Sequence, residues 1–283
     1  MELSKCQNVF EHDNMRGVDT MNMQAKIESN PENLISVNGR SGSRLGSMND
    51  PSKQHCEQCA LNKLCIAKLA DQLGLDALNQ ITSHPKPHHK GEYFYRQDDA
   101  FDSVYIVRSG AVKTYYLNEK GEEHITGFYL PGELFGIDGL NADSHRYSAQ
   151  ALDTTAVCSV PYEALERLYS THPEIQRRVT DILCEEIFQR QQSLLSLRQS
   201  PAEQRLASFL VDISRRLQLR GLCATDLDLP MSRRDIAKYL GLAEETMSRL
   251  FTRLQEKKLL SVHGRNIGKL DIEKLRDMAV VLH

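Results

Sequence analysis

Three features missing from this 283-residue sequence remove whole classes of function. No apolar run approaches the roughly 20 residues that a membrane-spanning helix needs. The first thirty residues are polar throughout, without the basic-then-apolar order of a secretory leader. Nor is there a P-loop, a glycine-rich dinucleotide turn or a nucleophile–base arrangement, so the residues give no support to an enzyme. Net charge is only −3 and composition is ordinary, 40% apolar and 26% charged, so the whole-chain balance says nothing about nucleic acid. A chain of this length buries a real core and is expected to form two domains. The cytoplasm is the expected compartment. Thiols stay reduced there, which favours metal or redox chemistry over a disulfide framework for the seven cysteines.

Residues 1–52 are rich in Ser, Asn and Gly and poor in apolar residues, which predicts a disordered extension. Its five methionines (Met1, Met15, Met21, Met23, Met48) leave open where translation starts. From residue 90 to 160 the pattern changes to short β-branched and aromatic runs. Turn signals at Ser109-Gly110, Asn118 to Gly121, Pro131-Gly132 and Gly139 separate them, predicting a small antiparallel roll or barrel. A short helix follows, with Pro161 suited to its first position. A long one then runs from about Pro173 to Arg198. Ile175, Val179, Ile182, Ile187 and Leu194 mark a narrow apolar stripe on it. Such a stripe suits a core face or a coiled-coil seam, and its strongly polar flanks favour the seam. Arg190 falls within the stripe, where two copies would repel across a two-fold axis. Pro201 then starts another helix, for which Gly221 is a fitting end.

Ser232 to Leu260 reads SRRDIAKYLGLAEETMSRLFTRLQEKKLL. Ser232 caps a first helix with Asp235 three residues on, Gly241 supplies a turn, and a second helix runs from about Glu244 to Lys257. SVHGRNIGKLDI fits a hairpin wing. Between Arg233 and Lys269 nine Lys/Arg face four acids, a local +5 that suits a phosphate backbone. Glu245, Ser248 and Arg249 share one outward face of the second helix, and these are residue types that read base edges. Ala243, at the N-cap, is a poor choice.

The stretch HCEQCALNKLC places Cys56, Cys59 and Cys65 within ten residues. Their thiolates suit iron–sulfur or zinc. Spacing alone does not choose between them, and a Cys3His zinc site with His55, His84, His88 or His89 is the rival. Cys158, two residues from Ala156 and from Val160, shares their strand face; alone it reads as a core thiol. Cys6, Cys184 and Cys223 have no partner at metal spacing, and Cys184 reads as helix packing. HPKPHHKGE reads as a solvated loop.

Over about residues 53–275 the sequence resembles the CRP/FNR family of transcription regulators, and within it the oxygen-responsive FNR branch. EEHITGFYLPGELFG, SAQALDTTAVCSVPYEAL, ETMSR and the C-x2-C-x5-C block carry the likeness. The resemblance implies an α+β fold: a β-roll sensor domain with its cysteine segment over 53–170, a dimerisation helix over 171–199, and a winged helix-turn-helix over 200–283. It implies a [4Fe-4S] cluster on Cys56, Cys59, Cys65 and Cys158, whose attack by oxygen would break the homodimer and release DNA. The family's E-x-x-S-R base readers fall on Glu245, Ser248 and Arg249, implying a palindrome of TTGAT-like half-sites. RNA polymerase is an expected partner, through loops such as Asn118 to Glu122. Cyclic nucleotide is not expected: where CRP-type rolls carry a ribose-binding glutamate and a phosphate-binding Arg-Ser pair, this chain has Ile137 and Tyr147-Ser148. The alternative is a CRP-type regulator controlled by thiol, zinc or a small ligand.

Overall fold

The computed structural model describes residues 55–279, less the side chains of 193 and 195–199. The extension expected over 1–52 lies outside the described residues. Two short 3-10 turns, Cys56–Gln58 and Ile66–Leu69, lead into α1 (Gln72–Ile81). The side chain of Asp71 caps α1 by accepting from the Gly74 N–H at 2.8 Å. The roll follows: β1 (Tyr93–Tyr95), β2 (Ser103–Ser109), β3 (Val112–Leu117), β4 (Glu123–Tyr129), β5 (Leu134–Phe135), β6 (Ser148–Ala151) and β7 (Ala156–Pro161). Two antiparallel sheets, ordered β1-β6-β3-β4 and β5-β2-β7, enclose Tyr95, Val107, Val112, Phe135, Ala149 and Val157.

Strand β2 is apolar on both faces, and that decides how the roll is used. Val107 points between the sheets, whereas Val104 and Ile106 point outward. That outward face is covered by the cysteine segment (Ile66, Ala67), by Leu78 of α1, by Leu165 of α2 (Tyr162–Tyr169), and by Ile175 and Val179 of α3 (Pro173–Gln199). Pro161 closes β7 and α2 begins one residue later, a shift of one from the expected position.

Burial on this second core revises the stripe on α3. Ile175 is fully buried and Val179 nearly so, both against their own chain, and Ile182 packs partly against the same cluster. Ile187 and Leu194 are exposed, together with Phe188. The spacing gives one continuous stripe. The inward half is claimed by the N-terminal segment, which the sequence pattern did not place over the helix. Cys184, expected to pack, is exposed.

Helix α4 (Ala202–Gln218) opens the C-terminal part of the chain. β8 (Leu227–Asp228), α5 (Arg233–Tyr239), α6 (Glu244–Glu256), the hairpin β9 (Ser261–His263) and β10 (Asn266–Gly268), and α7 (Ile272–Met278) complete it. Strand order β8-β10-β9 gives the expected wing a third strand.

Candidate functional site: a four-cysteine cavity and a DNA-reading helix

Cys158 sits on β7 directly opposite Ile106 of β2 and faces the outer core with Val160. The N-terminal segment folds over that face. Cys56 opens a 3-10 turn, and its backbone N–H donates to Asn79 Oδ1 of α1 at 2.7 Å. Cys59 closes the turn by donating its N–H to the Cys56 carbonyl. Cys65 caps the next turn, its sulfur accepting from the Ala67 N–H at 3.4 Å. The four cysteines therefore line one cavity of about 40 Å³, with Ile66, Leu78, Ile106 and Val160 among its apolar walls. Arg108 and His84 also line it. The histidine-rich stretch is thus more than a solvated loop: His84 reaches this cavity, and His88 packs against Phe94 in a tilted arrangement, ring centroids 4.2 Å apart.

Chemistry of the donor set fits a soft metal centre. Burial pushes the Cys158 thiol up to about 12, with the Arg108 charge opposing it. Burial also raises Cys65 to about 11, against the Ala67 N–H, and raises Cys56. Thiols held this way are poor nucleophiles unless a cation replaces their protons. Four cysteine sulfurs around one cavity are a donor set that suits an iron–sulfur cluster or a tetrahedral zinc ion.

Arg178 of α3 is a site residue that sequence reasoning missed. Its guanidinium donates to the Leu64 carbonyl at 2.8 Å and to the Cys65 carbonyl at 3.2 Å. In sequence it is one of two adjacent arginines on a polar helix face, with nothing to mark it. Arg190 differs from expectation. It donates to the Thr126 carbonyl and the Tyr129 hydroxyl, both at 3.1 Å, and pairs with Glu186 of its own helix, so it is bonded to the roll.

In the C-terminal part the expected capping box is present: the Ser232 hydroxyl accepts from the Asp235 N–H at 3.0 Å, and Asp235 accepts from the Ser232 N–H at 3.1 Å. Gly241, with φ +61°, turns the chain into α6, whose N-cap Ala243 makes no side-chain bond. Met247, Leu250, Phe251 and Leu254 are buried. The opposite face presents Glu245 and Arg249, joined at 2.7 Å and about three-quarters exposed, with Ser248 beside them.

Ile137 packs against the outer core. Asp138, its neighbour, accepts from the backbone N–H groups of Arg146 at 2.8 Å and Tyr147 at 3.1 Å, and faces His145 Nδ1 at 3.4 Å. No helix among the described residues is long and apolar enough to cross a membrane.

Comparison with known proteins agrees with this architecture. Residues 85–172 match the cyclic nucleotide-binding domain family, and residues 204–278 match the Crp-like helix-turn-helix domain family. The chain is 45% identical to the transcriptional activator protein Anr of Pseudomonas protegens, over 78% of this chain and 90% of that one. It is 40% identical to the fumarate and nitrate reduction regulatory protein of Vibrio cholerae, over 80% and 91%. Among solved structures, FixK2 from Bradyrhizobium japonicum superposes with a TM-score of 0.66 at 32% identity, covering 72% of this chain and all of that one. A β-roll, a long helix and a Crp-like helix-turn-helix, joined in one chain with these relatives, make this protein a DNA-binding transcription regulator of the CRP/FNR family, of the Anr/FNR type.

Proposed function

We propose that the protein is an oxygen-responsive regulator of anaerobic genes that carries a [4Fe-4S] cluster on Cys56, Cys59, Cys65 and Cys158. One observation carries this reading: four thiols from segments about ninety residues apart line a single cavity. When bound, the cluster supplies an oxygen-labile crosslink between the N-terminal segment and β7. The chain's own residues do the rest. Asn79 holds the Cys56 turn, and Cys65 anchors a segment whose Ile66 and Ala67 pack beneath α3. Arg108 places a positive charge beside the thiolates. Beyond that anchorage α3 exposes Ile187, Phe188 and Leu194, an apolar edge suited to a second copy of the chain. A two-fold dimer sets two α6 helices about one DNA turn apart, where Glu245, Ser248 and Arg249 read TTGAT-like half-sites.

The reading places the protein in the cytoplasm with RNA polymerase as a partner. The Asn118–Glu122 turn, braced by the Asn118 side chain, is exposed for such a contact. Cyclic nucleotide is not the signal in this reading, because Asp138 spends its carboxylate on its own backbone. The test is iron and sulfide analysis with visible absorbance on anaerobically purified protein, before and after air. About four of each per chain is expected, bleached by air and absent in Cys158→Ala. Zinc, or DNA binding indifferent to air, would sink the reading.

A further inference from the structure

The cysteine loop touches the long helix in two chemically different ways. One is apolar: Ile66 and Ala67 pack with Ile175 and Val179 in the outer core. Packing of that kind is non-directional and survives small displacements. The other is directional. Two nitrogens of the Arg178 guanidinium bond two consecutive carbonyls, Leu64 at 2.8 Å and Cys65 at 3.2 Å. A planar fork meets such a pair in one arrangement of the peptide between them. The Cys65 backbone is itself bonded into this arrangement, its N–H donating to the Leu61 carbonyl at 3.1 Å. Rotation of the Leu64–Cys65 peptide therefore breaks the fork even where the apolar packing persists.

The far end of the same helix is fixed independently by Arg190 and Glu186 on Thr126 and Tyr129 of β4. Between the two anchors, α3 carries Ile182 and Leu183, partly buried, and Ile187 and Phe188, exposed. Loss of the Arg178 fork leaves that end held by apolar packing alone while the other keeps its directional bonds, which lets the exposed edge turn relative to the roll.

We propose that Arg178 is the positioning residue that transmits the state of the cysteine loop to the long helix, by reading the Leu64–Cys65 backbone. The inference rests on the cluster reading above and names a residue through which it acts. Arg178 holds none of the proposed ligand atoms, so cluster assembly and helix response separate in its variants.

The experiment uses the full chain, native, Arg178→Met and Arg178→Lys. Iron and sulfide content and the dimer fraction by analytical ultracentrifugation are measured anaerobically and again after air. Arg178→Met is expected to hold iron as the native chain does while its dimerisation constant no longer tracks the cluster, losing about tenfold of the response, the worth of a charge-assisted bond. Arg178→Lys, which keeps the charge and loses the fork, is expected to recover only part of it. Native-like tracking in Arg178→Met overturns the proposal. Hydrogen exchange over residues 173–185, before and after alkylation of the thiols, gives a readout that needs no cluster. Protection must change in the native chain and not in Arg178→Met, and an unchanged native chain overturns the proposal whatever the thiols hold. An iron-free native chain whose exchange still responds through Arg178 would sink the cluster reading alone.

Discussion

Lys113, on β3 of the roll, and Asp235, in the capping box of α5, lie 3.2 Å apart, with side chains 9% and 15% exposed. One carboxylate thus caps a helix of the DNA-binding domain and ties that domain to the roll. Glu123 of β4 joins it, 2.8 Å from Lys238 of α5 and 3.7 Å from Lys113. Beside these pairs Phe128 of the roll packs on Phe209 and Tyr239, with ring centroids 6.1 and 5.2 Å away.

Lys113→Met is expected to destabilise the chain by about 3 kcal/mol, because two carboxylates are then left facing each other half-buried. The same pairs set a pH dependence. Asp235 lies below its ordinary 3.8: burial raises it, and the Ser232 hydroxyl and Lys113 more than offset that. Glu123 lies below its ordinary 4.5, chiefly through its bond to Lys238. Depressed carboxylates add stability that is complete above those ordinary values and lost as pH falls through the lower folded-state ones. Urea unfolding at pH 7 and near pH 3 checks this. A Lys113→Met chain with the native pH slope would refute it.

How much of this was legible in the sequence depended on whether a residue's role was local. The capping box, the Gly241 turn, the buried face of α6 and its exposed Glu245–Ser248–Arg249 face follow from spacings of three and four, and all stand where the spacing put them. Of the roll, β1 to β4 and β7 followed from short β-branched and aromatic runs between turn residues, whereas β5 and β6 did not. α1 and β8 were missed, the first for its mixed composition and the second because two residues carry no period. The stripe on α3 failed for a different reason. Periodicity says that Ile175, Val179, Ile187 and Leu194 share a side, but what covers each is decided by a segment more than a hundred residues earlier. Arg178 and Arg190 were illegible or misread for the same reason, since their partners are backbone carbonyls and a tyrosine on distant elements.

Arg190 gives a second expected outcome, opposite to the repulsion that the sequence alone suggests. With its guanidinium on Thr126, Tyr129 and Glu186, removal takes the donor from the Thr126 carbonyl and leaves the Glu186 carboxylate with the neutral Tyr129 hydroxyl in place of a cation. Burial, then the Glu186 carboxylate, raises the Tyr129 hydroxyl, so it stays neutral and cannot replace that charge. Arg190→Leu is expected to lower stability by about 1–3 kcal/mol and not to raise DNA binding in air. Thermal melting and a band-shift assay check both parts; aerobic binding above native would restore the repulsion account.

Gly132, φ +88°, closes the turn between β4 and β5 beneath the cysteine loop. A Cβ added there would stand 2.9 Å from the Leu64 Cβ, and no rotation relieves a contact so near both backbones. The turn also carries Glu133, which Arg216 of α4 bonds at 3.0 Å, and Pro131, whose carbonyl accepts from Arg220. Gly132→Ala is expected to cost about 1–2 kcal/mol from the left-handed conformation alone, and more from the contact. Because Leu64 must move, Cys65 moves with it, so in the proposed cluster reading faster iron loss to a chelator is expected. Native iron retention with a native melting temperature would show that the loop yields without cost.

On α6, stability and recognition separate cleanly. Glu245 and Arg249 make an exposed i,i+4 pair, which is worth only about 0.3–0.5 kcal/mol to the fold. Their replacement therefore leaves melting almost unchanged while altering what the helix reads. Arg249→Ala is expected to weaken binding to the preferred site by about 1–3 kcal/mol and to relax preference at one base pair. Lys258 and Arg253, in the same basic region, face phosphates in this reading. Neutralising either is expected to weaken binding alike on all sequences and to lower the salt slope by about one. Titrations against a set of single-base variants at two salt concentrations distinguish the two behaviours. Equal losses on every sequence for Arg249→Ala would move that residue from reading bases to holding the backbone.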